Sequence, residues 1–142
     1  MKRSALLFWL VVLWFHPGQA QAKHDLDSLL DALPRVDAGL QRIDLLNKLA
    51  SAYTLISIDE AEKFAAQAIG QSRERNYQLG LAEGYKILGT TYYVKGEHDK
   101  AIEYSYEALK LYEINKDKAG QSDVLSNIAV VFTARAEIDK AY

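Results

Sequence analysis

The stretch Tyr85-Lys86-Ile87-Leu88-Gly89-Thr90-Thr91-Tyr92 decides the fold of this chain. Tyr85, Leu88, Gly89 and Tyr92 fall at i, i+3, i+4 and i+7, which places them on one face of a helix. That face sets large rings beside a residue with no side chain, so a second helix backbone can come close while the rings fill its flanks. A second helix is predicted directly downstream. Past the turn Lys95-Gly96-Glu97, Ala101, Tyr104, Ala108 and Leu111 form another stripe of the same kind. Gly96 can take the left-handed conformation that ends a helix.

The motif recurs on both sides. Leu46-Asn-Lys-Leu49-Ala50-Ser-Ala-Tyr53 precedes it and Leu125-Ser-Asn127-Ile128-Ala129-Val-Val-Phe132 follows it. Ala61, Ala101 and Ala141 lie 40 residues apart, as do Ala68 and Ala108, and Gly80 and Gly120. Self-similarity at such a period marks stacked units that bury an apolar side against their neighbours. Tyr85, Leu88-Gly89, Tyr92, Gly96, Ala101 and Ala108 resemble the tetratricopeptide pattern at its spacing. The resemblance covers about residues 37–142 and implies an all-α fold, an α-solenoid of antiparallel helix pairs. The period of 40 departs from the family's usual value of about 34. The extra residues fall between Ala68 and Gly80 and between Ala108 and Gly120, so longer helices are predicted there.

The units divide as 37–76, 77–116 and an incomplete 117–142. In the first, the turn is one residue shorter and Ser57-Ile-Asp-Glu60 offers a capping box to its second helix. In the third, Ala136 stands where Gly96 stands in the second, and Ala141 would open the second helix. A left-handed alanine costs about 1 kcal/mol, so an adjusted corner is predicted there. Residues 23–36 read as a lead helix, Asp25 to Leu33, ended by Pro34.

Residues 1–22 read as a secretory signal peptide. Lys2-Arg3 is a basic start, Ala5 to Phe15 an unbroken apolar run, His16-Pro17-Gly18 a helix break, and Ala20-Gln21-Ala22 a cleavage site. Eleven apolar residues reach about 16 Å as a helix, half of a hydrocarbon core of roughly 30 Å. An exported protein, periplasmic or otherwise extracytoplasmic, is the expectation. The 142-residue chain carries a formal charge of −2, and loss of Lys2 and Arg3 with the leader takes this to −4. A nucleic-acid interface needs a basic face, which this balance does not supply. With no cysteine, disulfides, thiol catalysis and thiolate metal sites are excluded.

No enzyme, cofactor or metal site is expected from these residues. His24 and His98 have no converging ligands and are read as solvated. Gly80, Gly84 and Gly89 lie in or at the start of a helix, so none forms a phosphate loop. Tyr53, Tyr85, Tyr92 and Tyr104 take core positions, while Tyr93 and Tyr106 point elsewhere.

What the resemblance implies is a partner-binding groove lined by the first helix of each pair. Carried over by position, its residues are Asp44, Asn47, Ser51 and Thr54, then Glu83, Lys86, Thr90 and Tyr93, then Asp123, Ser126, Val130 and Thr133. A carboxylate recurs at Asp44, Glu83 and Asp123, with hydroxyls behind it. Such a groove suits a basic or polar peptide. The simpler account is that each carboxylate sits in the first turn of its helix and answers the dipole, worth about 0.3–1 kcal/mol. The Lys, Arg and Asn set with which some relatives grip a terminal carboxylate is missing, with Asp123 where a Lys is needed.

The expected function is therefore a protein or peptide interaction module. A signal peptide followed by such repeats resembles the N-terminal sensor region of bacterial signalling proteins, which implies a longer chain with membrane attachment through a C-terminal segment. A free adaptor made only of repeats, or repeats ahead of a catalytic domain, are the rivals.

Overall fold

A computed structural model describes residues 17–141. They form helices α1 (Pro17–Ala32), α2 (Leu40–Tyr53), α3 (Ile58–Glu74), α4 (Gln78–Lys95), α5 (His98–Ile114) and α6 (Lys118–Ala141), with a 3-10 turn at Leu33–Arg35. No strand occurs among the described residues. The basic start and apolar run of the expected leader lie outside them.

Each helix packs on the next, and α2, α4 and α6 also meet in a row. The packing follows the apolar stripes. Ile43, Leu46 and Leu49 of α2 are fully buried and join Phe64, Ala65, Ala68 and Ile69 of α3 with Ile87 and Leu88 of α4. Burying one such aliphatic side chain contributes about 1.5–3 kcal/mol. A second cluster, Ala82, Ala108, Tyr112, Val124 and Ile128, ties α4 and α5 to α6. Tyr104 of α5 stacks on Tyr92, with centroids 5.3 Å apart, and on Tyr85 at 6.0 Å. These rings are half-buried, as is Tyr53, which stacks on Phe64 at 5.6 Å.

Between those rings the backbones come close at Gly89. A Cβ there would sit 3.2 Å from the Ala101 carbonyl oxygen and 2.6 Å from the Ser105 Oγ. Gly96 is left-handed at φ 83, and the Glu97 N–H closes the end of α4 on the Tyr92 carbonyl at 2.9 Å. The same closure ends α3 and α5, where Tyr77 N–H meets Ser72 O at 2.8 Å and Asp117 N–H meets Tyr112 O at 2.9 Å. There the left-handed residues are Asn76 (φ 55) and Lys116 (φ 57), not glycines. They stand 40 apart, in phase with the repeat. The residues beyond the usual period lengthen α3 and α5 to 17 residues each.

Several local expectations need correction. Pro17 and Gly18 stand at the start of α1 as described, and the break expected at His16-Pro17-Gly18 reaches outside the described residues. The lead helix thus spans the expected cleavage stretch, ends at Ala32, and passes into the turn that holds Pro34. Arg42 clamps that corner, its Nη1 donating to the carbonyls of Leu33 at 2.7 Å and Val36 at 3.2 Å. Only half of the capping box forms. Ser57 Oγ accepts from the Glu60 N–H at 3.4 Å, while the Glu60 carboxylate turns outward to Lys63 at 3.0 Å. No turn occurs at Ala136, because α6 runs unbroken to Ala141. Alanine is the best helix former, and the left-handed turn that Gly96 takes freely would cost it about 1–2 kcal/mol.

Candidate functional site: an acidic cleft beside the first helices

Side by side, α2, α4 and α6 leave an open cleft of about 770 Å³, completed by Leu29 of α1 and Tyr112 of α5. Its charged lining is Asp44, Glu83, Asp117 and Asp123 against Lys48 and Lys86, a net charge of −2 at neutral pH. The carboxylates are held by neighbours across the helix row. Asp44 accepts the Tyr77 hydroxyl at 3.0 Å, and Glu83 accepts the Tyr112 hydroxyl at 2.7 Å. Lys86 lies 2.9 Å from Glu83 and 3.9 Å from Asp123, so it bridges α4 and α6. Burial pushes the Tyr112 hydroxyl well above the ordinary tyrosine range, and its bond to Glu83 pushes it further. Tyr77 is raised in the same way, by burial first and then by Asp44.

The dipole account of the three carboxylates is corrected by their position. None of α2, α4 and α6 has an acidic residue in its first turn. Asp44, Glu83 and Asp123 stand one turn further on, and tyrosine hydroxyls and a lysine hold them there.

Of the groove residues drawn from the sequence, Asp44, Asn47, Ser51, Glu83, Lys86 and Asp123 come together around the cleft. Asn47 is nevertheless 3% exposed, and its Nδ2 donates to the Gly80 carbonyl at 2.9 Å, stitching α2 to α4. The others turn away. Thr54 is buried, its hydroxyl 3.2 Å from the Ala50 carbonyl and 3.4 Å from the Thr91 hydroxyl. Thr90 accepts from Asn127 Nδ2 at 3.3 Å, and Tyr93 stacks on His98 at 5.9 Å. Val130 lies with them around a small separate cavity. Ser126 and Thr133 are exposed and donate back to their own helix, at 2.9 Å each.

Tyr77 and Tyr112 were not among the sequence candidates. The signal for them was the in-phase pair Gly80 and Gly120. A Cβ at either would lie 2.4 Å from a tyrosine ring, Tyr77 over Gly80 and Tyr112 over Gly120. The period exposes the glycines, but the covering rings come from different places in the repeat, so no alignment of units pairs them.

His24 is exposed, 3.9 Å from Asp25, whereas His98 is half-buried against Tyr93 rather than solvated. No group of three or more His, Cys, Asp or Glu side chains is arranged to hold a metal ion among the described residues. No helix among them is long and apolar enough to cross a membrane. No known protein-family model and no curated protein matches this chain.

Proposed function

We propose that this chain is a non-catalytic interaction module of the tetratricopeptide type, a solenoid of antiparallel helix pairs whose acidic cleft holds a basic segment of a partner protein. The observation that carries this is the convergence of Asp44, Glu83 and Asp123, from three helices, on one open cleft. The α2–α4–α6 row supports the solenoid, since a surface made from the same helix of successive units is what stacked repeats provide. Fixed carboxylates attract lysine and arginine side chains, and the lysine already bridging Glu83 and Asp123 marks the geometry such a side chain would meet. With the leader expected in residues 1–22, this module works outside the cytoplasm, as the sensing part of a longer signalling protein.

The cleft is tested by titrating the protein with an oligolysine peptide and with an oligoglutamate peptide of equal length. Oligolysine is expected to bind and oligoglutamate not. Asp44→Asn with Asp123→Asn keeps the shapes, removes two charges, and should weaken oligolysine by about tenfold. Equal binding of both peptides, or an unchanged affinity in the double variant, rules out the acidic cleft. Sequencing the N-terminus of the protein recovered from cells is expected to begin at Lys23.

A further inference from the structure

Past the acidic cleft, a cavity of about 130 Å³ lies between α4, α5 and α6. It belongs to the same two helix stripes as the cleft. Glu83, Lys86, Thr90 and Tyr93 fall at i, i+3, i+7 and i+10 on α4, and Asp123, Asn127 and Val130 at i, i+4 and i+7 on α6. The stripes are tied twice. Lys86 lies 3.9 Å from Asp123 at the cleft, and one turn further on the Asn127 amide donates to Thr90 at 3.3 Å beside the cavity. Cleft and cavity therefore follow one another along a single α4–α6 seam. Leu125, Ala129 and Phe132, on the outer face of α6, take no part in the lining.

The equivalent place in the preceding unit is packed. Ile87, Ala65 and Ala50 hold there the repeat positions of Asn127, Ser105 and Gly89, and all three are buried in one apolar cluster. At the cavity, an amide drawn onto Thr90 replaces the isoleucine side chain and a hydrogen replaces the Ala50 methyl group. Ser105 adds a hydroxyl directly over Gly89, 2.6 Å from where a Cβ would stand. That residue is 2% exposed, and its hydroxyl has no hydrogen-bond partner among the described residues. A buried hydroxyl left unpaired is costly, which points to a group that enters from outside and pairs with it. Val131 is 2% exposed and Val130 49%, so the cavity runs inward from the surface along an apolar wall. No side chain in its lining is charged at neutral pH.

We propose that this cavity takes one uncharged side chain with a hydrogen-bonding head, of glutamine size, from the basic segment that the cleft holds. The inference rests on the acidic-cleft reading and adds a requirement on the partner's sequence. A protein cavity of roughly 150 Å³ holds benzene, so this one admits a glutamine and is too small for a tyrosine or tryptophan side chain. The aliphatic stem lies along Val130 and Val131, and the carboxamide reaches the Ser105 hydroxyl, which can donate or accept. A charged head would be buried there without a counter-ion. Glu83 to Thr90 and Asp123 to Val130 are each seven residues, about 10 Å along a helix. Three residues of extended chain cover about the same distance, so the anchor stands three residues from a lysine.

Peptides of the form Lys-Lys-Gly-Gly-Xaa-Gly-Gly-Lys-Lys test this, because Xaa lies three residues from a lysine in either chain direction. In calorimetric titrations the peptide with glutamine at Xaa is expected to bind about tenfold tighter than the one with glycine, and the one with glutamate weakest. Ser105→Ala and Asn127→Ile install the residues that the preceding unit carries at Ala65 and Ile87, so both should stay helical by circular dichroism. Each should erase the glutamine advantage and leave the glycine peptide unchanged, and either variant alone decides the matter if the other fails to fold. Equal affinities of the glutamine and glycine peptides overturn the cavity and leave the cleft standing, as does a glutamine advantage that the folded variants retain. If no peptide binds, the cleft reading falls and this inference falls with it.

Discussion

Lys116 occupies a conformation that disfavours it. A side chain at φ 57 costs about 1–2 kcal/mol, yet Lys116 holds this position because the Asp117 N–H must reach back to Tyr112. Lys116→Gly should remove that cost against a loss of about 0.5–1 kcal/mol in chain entropy, for a net gain of about 0.5–1 kcal/mol. A rise of about 2–4 °C in melting temperature would register it, and a fall would mean that Lys116 makes a compensating contact. Tyr112 offers a test through pH. An unfolded tyrosine ionises near pH 10, whereas folded Tyr112 keeps its proton to higher pH because it is buried and bonded to Glu83. Its contribution is therefore full below about pH 10 and is lost above it, at about 1.4 kcal/mol per pH unit. Tyr112→Phe should cost about 1–2 kcal/mol near neutrality through the lost hydrogen bond and flatten the alkaline decline by one proton's worth. Urea titrations between pH 7 and 11 would measure both, and an unaltered alkaline slope would place the hydroxyl in water.

At the scale of the helix, close approach matters more than propensity. Leucine is a better helix former than glycine by about 0.8 kcal/mol, so an open site at Gly89 would make Gly89→Leu stabilising. Instead a side chain there meets the Ala101 carbonyl and the Ser105 amide, which are backbone and cannot rotate away. Gly89→Leu is expected to destabilise by about 1–3 kcal/mol, and the sign of the measured change decides whether α4 and α5 pack here. This contact was legible in the sequence, since Gly89 and Ala101 sit on two stripes joined by a short turn. The ends of α3 and α5 were not, because Asn76 and Lys116 carry no glycine signal and are forced left-handed by the hydrogen bonds that close the helix. The fate of Ala136 was hidden for the opposite reason. Arg135-Ala-Glu-Ile-Asp-Lys-Ala141 matches Lys95-Gly-Glu-His-Asp-Lys-Ala101 closely, but one methyl group at Ala136 reverses the preference from turn to helix.

For the molecule as a whole, the cleft sets four carboxylates and two lysines among apolar lining residues that include Leu29, Ala52 and Leu79. Binding of a basic segment to a surface of net charge −2 should weaken with salt, because the Debye length falls from about 10 Å at 0.1 M to 3 Å at 1 M. Titration of oligolysine at those two concentrations should lower its affinity, and salt-independent binding would point to apolar contacts instead. Half of the groove inferred from the sequence lines this cleft, and the division has a physical cause. Positions along one helix face look equivalent in a repeat, but Thr54 and Thr90 lie where neighbouring helices close over them, and Tyr93 is drawn onto His98.

The helices, their period near 40 residues and the stripes that pair them could be read from the amino acids alone, because these depend on spacing along one chain. The packed helices were needed to reveal which carboxylates share a cleft, that Tyr77 and Tyr112 hold Asp44 and Glu83, and that α6 runs straight past Ala136. Those outcomes rest on contacts between residues 29 to 37 positions apart or on a balance of about 1–2 kcal/mol between turn and helix, and neither is written in local periodicity.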